Sequence, residues 1–292
     1  MDRVGGSALP DGVMMVKGGQ AAVAVYDREG NLREASFRTV KNPVKIPVLR
    51  AFGSLYASAA TSAVAYARAF RLRNAGAKDF GLGELAGFVG VFGSSTGVSA
   101  LRAQVEKLLK AALKDKAAVR EPLLSLTETF FEILSVVIVF QTPTGKRLRG
   151  FHGAEHKVIA AAEAAGRAPT LEEARNASRF HPRCGTSLSA AALAIYTVSS
   201  GVLLPFVPDR MRETARVALL LASMAVAYEG MASGKNGPLQ KLGLAAQRFT
   251  TREPDEEMLR AALSAWKLAA AGELEEKPEK RIPAGKGEVL AF

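Results

Sequence analysis

All three histidines of this 292-residue chain, His152, His156 and His181, and its single cysteine, Cys184, fall within one stretch of 33 residues. Imidazole and thiolate are the side chains that hold borderline-soft cations such as zinc, so the whole soft-ligand inventory stands at one place. The segment reads His152-Gly-Ala-Glu155-His156 and, after a short helical stretch, His181-Pro-Arg-Cys184. One helical turn separates His152 from His156, which puts both imidazoles on one face with Glu155 beside them. His-x-x-Glu-His inverts the order of the usual zinc-hydrolase helix; in it two histidines bind metal and the glutamate activates water as general base. The expected cofactor is zinc, or another divalent transition metal, with His152, His156, His181 and Cys184 as ligands and Glu155 as the catalytic group.

The number of ligands decides the chemistry. Four protein ligands close the shell and make a structural site, whereas three leave a position for water and a reaction. Glu229, downstream in an apolar segment, is a further candidate ligand; a salt bridge to a basic neighbour is its other reading. Two other readings use the same residues. In one, the histidines are hydrogen-bonded structural groups and Cys184 is a small apolar residue. In the other, Lys157, Arg179 and Arg183 bind a lipid phosphate.

The elements that must position these residues are legible in part. Residues 151–165 form a helix closed by Gly166. A second helix opens on Thr170 and Glu173, a capping-box spacing, and runs to Phe180 before Pro182 stops it. An antiparallel pair of this kind returns His181 and Cys184 toward His152 and His156.

Around that hairpin the chain is mainly α and reads as a multi-pass helical membrane protein. It is 48% hydrophobic and 23% charged, and the two kinds of residue are segregated along the sequence. A spanning helix needs about 20 apolar residues. Residues 186–206 carry no charge, 217–231 carry only Glu229, 123–141 carry Glu128 and Glu132, and 85–101 are uncharged but rich in Gly and Ser. Buried helices of a large soluble domain are the alternative. Residues 21–26 and 32–40 flank a Gly-containing turn and form a β-hairpin, and 55–70 read as an interfacial or re-entrant helix. The organisation expected is therefore an N-terminal β-containing cytoplasmic region (1–50), interfacial and membrane helices (51–141), a cytoplasmic His/Cys hairpin (142–185), a transmembrane hairpin (186–233) and a cytoplasmic C-terminal segment (234–292). In the last, 236–251 read as a loop, 254–271 as a helix, and the chain from about residue 272 as disordered.

A formal net charge of +11 suits nucleic acid or an anionic membrane face. Aromatic residues make up only 7% and do not alternate with arginines as a base-stacking surface requires, so membrane lipids are the expected partner and nucleic acid is not. One cysteine excludes an intrachain disulfide framework and agrees with a reducing compartment, and no cleaved leader is indicated. Residues 142–183 hold eight Lys and Arg, which places the motif in the cytoplasm. The six basic residues in 102–120 conflict with that orientation if spans flank them on both sides.

The segment from Phe151 to Lys157, with Ser178 to Gly185 downstream, resembles the bacterial YqhQ family of multi-pass membrane proteins of unknown function, regarded as metal-dependent enzymes. Gly5-Gly6-Ser7-Ala8 with Asp11 to Met15, and Gln247 to Pro254, resemble that family's N- and C-terminal signatures, so the resemblance runs from about residue 5 to 268. Ser7 and Asp11 stand where the family has Gln and Glu. The resemblance implies a metal site and a location in the bacterial inner membrane. The function expected is a zinc-type hydrolase, with peptidases included, acting on a membrane-protein substrate. The alternative is a non-catalytic assembly or scaffold factor, with a membrane-protein partner and a structural metal or polar cluster.

Overall fold

The computed structural model describes residues 4–74, 82–233 and 237–272, and of residues 82–95 the backbone alone. Four strands open the chain: β1 (Gly5–Leu9), β2 (Gly12–Lys17), β3 (Gln20–Tyr26) and β4 (Leu32–Arg38) form an antiparallel meander in that order. The hairpin expected from the sequence is β3–β4, and two further strands precede it. The turn between β1 and β2 holds Asp11 at φ 60°, and that between β2 and β3 holds Gly18 and Gly19 at positive φ, a conformation glycine adopts without a steric penalty. Asp27 fastens the third turn by accepting the backbone N–H of Glu29 and of Asn31, and it pairs with Arg33 at 2.9 Å.

Strand β3 is buried along nearly its whole length because helices cover both faces of the sheet. Alternation with period two divides its side chains. Ala21, Val23 and Val25 meet α1 (Leu49–Arg73) through Ala65, Ala69 and Leu72. Ala22, Ala24 and Tyr26 meet α4 (Pro143–Ala165) and α9 (Glu256–Ala271) through Phe151, Ala154, Val158 and Leu263. Residues 55–70, expected at the membrane interface, thus belong to a longer helix that lies on the sheet. Its buried Ala57, Thr61, Ala65 and Ala69 recur every four residues, so small side chains let the helix approach closely.

Apolar helices form the other part of the molecule. Among the described residues three helices are long and apolar enough to cross a membrane: α3 (Ala117–Gln141), α6 (Gly185–Leu203, apolar through Phe206) and α7 (Arg212–Ala232). Only 17%, 33% and 22% of their most apolar windows are buried. Phe130, Ile133, Val198, Val202, Leu221 and Val226 stand exposed, an apolar surface larger than a soluble monomer normally shows to water. The helix α2 (Leu82–Ala112) packs beside α3. Of the apolar segment expected at 85–101, the side chains up to residue 95 lie outside the described residues.

Helices α3 and α6 run antiparallel. Ser125 meets Ser200 at 2.8 Å, Glu128 meets Tyr196 at 2.8 Å, and Thr129 meets Thr197. Arg120 before α3's apolar stretch reaches Asp209 in the α6–α7 connection at 3.4 Å. The α2–α3 turn and the α6–α7 connection therefore share one end of the bundle, and the sheet and α4 lie at the other. Between them Arg216 bonds Glu121 at 2.6 Å and Glu128 at 2.9 Å, so the polar residues of these helices face one another.

Two local expectations are corrected. The capping box at Thr170 and Glu173 is present, but α5 spans only Leu171–Asn176, and irregular chain carries 177–183. Residues 236–251, expected as a loop, contain α8 (Pro238–Thr250), which starts on Gly237-Pro238, a favoured helix opening. The tail beyond residue 272, expected to be disordered, lies outside the described residues.

Candidate metal centre

Helix α4 begins earlier than its apolar pattern announces. Thr142 caps it by accepting the Gly145 N–H at 3.0 Å, Pro143 fills its first turn, and Gly166 at φ 67° ends it. On the face turned from solvent it carries His152, Glu155 and His156. Cys184 arrives from the opposite direction as the residue that opens α6.

His152, His156 and Cys184 each offer one ligand atom within 4.8 Å of the others. The Nε2 of His152 lies 3.3 Å from Cys184 Sγ, and the two imidazole rings are 4.4 Å apart at an interplanar angle of 66°. Metal–ligand distances of about 2.1 Å to nitrogen and 2.3 Å to sulfur put tetrahedral ligand atoms roughly 3.5 Å apart. The three donors are thus within a small closing movement of a ligand triangle.

The hydrogen bonds around the rings decide which nitrogens are free. His152 Nδ1–H donates to the Thr250 carbonyl at 2.9 Å, and His156 Nδ1–H donates to the Arg179 carbonyl at 2.6 Å. A carbonyl only accepts, so both rings carry their proton on Nδ1 and present an Nε2 lone pair. Backbone partners of this type orient the histidines of metal sites. His181 is different. Its Nδ1 accepts the Arg183 N–H at 3.3 Å and its Nε2 lies 3.2 Å from Glu163. With both ring nitrogens engaged, His181 presents no lone pair to the triangle, and its ring centre stands 5.9 Å from that of His156. Burial holds its imidazole below the ordinary value, with Glu163 pulling the other way. The backbone of His181 is clamped by Gln247, whose Oε1 accepts its N–H and whose Nε2 donates to its carbonyl.

Glu155 is buried in the wall of the same cavity, which has a volume of about 410 Å³. Burial pushes its carboxyl up to about 7, against a partial pull from His152. Among the described residues no hydrogen bond or ion pair holds it. The strand β1 presses on it from the sheet: a Cβ at Gly6 would meet Glu155 Cγ at 2.8 Å and the Met14 carbonyl at 2.7 Å. Glu229 lies elsewhere, tied to Arg50 and to the Val48 N–H. Lys157, named above for a phosphate, is spent on the carbonyls of Arg175 and Ala177 and on Glu253 at 2.5 Å.

Sequence reasoning missed the supports of this site. Thr250 and Arg179 act through backbone carbonyls, which no side-chain pattern discloses. Gln247 stands in the C-terminal signature, and a buried glutamine near the end of an amphipathic helix was the available signal. Gly6 stands in the N-terminal signature, where a pair of glycines marks close approach of another group.

A protein family described as "Protein of unknown function (DUF1385)" matches residues 46–271, from α1 through α9. The uncharacterized protein YqhQ of Bacillus subtilis (strain 168) is 30% identical over 174 residues, 53% of this chain and 53% of the relative. The match thus spans about half the length of that curated protein. No solved structure matches.

Proposed function

The chain belongs to the DUF1385 family of proteins of unknown function, and from that premise and the geometry of the ring nitrogens we propose that it is a membrane-anchored, zinc-type hydrolase. The observation that carries this reading is the convergence of His152, His156 and Cys184, whose ligand atoms lie within 4.8 Å of one another, while His181 is engaged by Arg183 and Glu163. Three protein ligands are the number found at catalytic zinc, and four the number at structural zinc. A bound zinc, or another divalent transition cation, supplies Lewis acidity that polarises a substrate carbonyl and makes water a stronger acid near neutral pH.

The chain's own residues do the rest. The carbonyls of Thr250 and Arg179 fix both imidazoles. The burial of His156 and Cys184 keeps bulk water from competing at two of the three donors. Glu155 takes the proton of the attacking water and returns it to the leaving group. His181, with Glu163 and Arg183, holds the wall of the cavity in place as a positioning residue.

The site lies at the head of α6, where a span begins, so the substrate meets it at the membrane surface. Orientation toward the cytoplasm of a bacterial inner membrane is supported by the basic residues of 142–183. In the opposing basic stretch at 102–120, Arg102 and Arg120 are paired with Glu132 and Glu121.

The test is the purified full chain in detergent, assayed for bound metal and for hydrolysis of a randomised decapeptide pool. Glu155→Gln is expected to retain the metal and lose turnover. A wild type that never holds stoichiometric transition metal overturns the reading, and a Glu155→Gln variant with undiminished turnover removes Glu155 from it.

A further inference from the structure

The cavity of the candidate centre meets the sheet in an unusual way. Residues on one face of a strand alternate, so a cavity against a sheet face is lined by every second residue. Here residues 4–8 line it consecutively. The cavity therefore runs along the edge of β1, which is the first strand of the sheet and, among the described residues, pairs only with β2.

Which backbone groups face that edge follows from the ladder. The Tyr26 N–H donates to the Asp11 carbonyl, so odd-numbered positions on the β2 side bond to β3 and even-numbered ones bond to β1. Ser7 is the partner of Met14, and Gly5 of Val16. Gly6 and Ala8 accordingly turn their N–H and C=O outward, and among the described residues no backbone group pairs with them. Gly5, Gly6, Ser7 and Ala8 carry little or no side chain, which leaves room for another main chain to approach. Gly6 is in turn packed on Glu155.

We propose that β1 is the substrate-docking edge of this site and that its occupant is an extended polypeptide, which adds to the sheet as a fifth strand. The proposal rests on the hydrolase reading and names its substrate class. Added strands lie about 4.8 Å from their neighbour, and the one laid on Gly6 and Ala8 runs through the cavity that His152, Glu155, His156 and Cys184 line. Main-chain hydrogen bonds provide the affinity in such docking and are indifferent to side chains. The scissile C–N bond is then broken by water, whose oxygen goes to the carbonyl carbon. One proton passes through Glu155 to the departing amine, and the products are a carboxylate and an amine.

Amide hydrogen exchange of the full chain in detergent tests this, with a randomised decapeptide pool as the probe and Glu155→Gln used to prevent turnover. The N–H groups of Gly6 and Ala8 are expected to slow by roughly tenfold or more when the pool is added, while those of Ser7 and Leu9, already bonded to β2, change little. Ala8→Pro removes one outward donor without touching the ladder and should weaken binding of the pool roughly five- to tenfold with metal content unchanged. Ala8→Val, which keeps the donor, should bind as wild type does. Unaltered exchange at Gly6 and Ala8 at the highest pool concentration attainable overturns the proposal, whether the pool binds elsewhere or not at all. Protection at those two amides without retained metal or cleavage sustains the docking edge and sinks the hydrolase reading alone.

Discussion

The Nε2 of His152 lies 3.3 Å from the Sγ of Cys184, across 32 residues of sequence. Neither atom has another hydrogen-bond partner among the described residues, because His152 is held through its other nitrogen by Thr250. Removal of either residue, or of His156, takes away one of three donors. Loss of a supporting group around a metal typically costs 10- to 100-fold in affinity, so loss of a donor should exceed about 100-fold. His181→Ala should cost no more than about tenfold. Competition with a chromophoric chelator measures all four variants, and a His181→Ala loss equal to that of Cys184→Ala would mean that His181 is a fourth ligand.

Arg216 lies between two carboxylates, Glu121 at 2.6 Å and Glu128 at 2.9 Å, where its side chain is 10% exposed and that of Glu121 is 2% exposed. Breaking a buried ion network by deleting one member costs about 3–5 kcal/mol, because the remaining charges lose their compensation. Arg216→Met is expected to destabilise the chain by that amount in detergent. Glu121 keeps Arg120 at 2.9 Å and Arg212 at 3.5 Å, so the carboxylate left bare is that of Glu128, and adding Glu128→Gln should recover more than half of the loss. Thermal unfolding of the single and double variants checks the pair of statements; a neutral Arg216→Met contradicts them.

Asp27 gives the sheet a pH dependence. Burial works to raise its carboxyl, but hydrogen bonds from Arg33, Asn31 and the Glu29 backbone outweigh it and hold the group below its ordinary value. A depressed carboxyl contributes stability that is complete above the unfolded value of about 3.9 and is lost as pH falls through the folded value. The stability difference between wild type and Asp27→Asn should therefore be flat at neutral pH and shrink below about pH 4. A difference that persists undiminished into strong acid would show that the carboxylate is not its source.

How far the sequence disclosed this arrangement depends on which atoms carry each feature. The motif helix was legible because its signals are local: four-residue spacing of the histidines and Gly166 at its end. So was the β3–β4 hairpin, whose β-branched and aromatic residues flank a Gly-containing turn. Strands β1 and β2 were not, since Gly5, Gly6 and Gly12 depress strand propensity and their pairing is satisfied only by β3 beside them. His181 shows the limit of spacing: His181-x-x-Cys184 fits two ligands on a loop, yet Glu163 of α4 and the Arg183 N–H engage its ring, and Gln247 of α8 clamps its backbone. Residues 238–250 looked like a loop because Gly237, Pro238 and Gly243 dominate the local pattern, whereas contact of Gly243 with Ser187 on α6 explains the glycine as close helix packing.

The span arrangement makes a topological prediction. The α2–α3 turn and the α6–α7 connection share one end of the bundle, and the sheet lies at the other. Single cysteines replacing Arg38 in the sheet and Asp115 in the turn, both exposed, should lie on opposite sides of the membrane. In a Cys184→Ala background, a membrane-impermeant maleimide added to intact cells is expected to label the residue at position 115 and to reach position 38 only after lysis. That placement requires the chain between β4 and α3 to cross the membrane as well as α3, α6 and α7, and labelling of both without lysis, or of neither, would contradict it.

Gly153→Ala separates helix propensity from packing. In an exposed helix interior this change stabilises by about 1 kcal/mol. On α4 a Cβ at Gly153 would run into the carbonyl of Arg252, within the segment that also carries the Thr250 carbonyl bound to His152. Forcing that segment outward should destabilise the chain by about 1–3 kcal/mol. It should also lower metal affinity about 10- to 100-fold, because His152 loses the partner that fixes its ring. Gly230→Ala on α7, where a Cβ meets nothing within 4 Å, is the control and should change neither quantity appreciably. The coupled loss is the diagnostic outcome: a Gly153→Ala variant that is less stable yet binds metal as tightly as wild type would show that Thr250 does not hold His152 in its binding orientation.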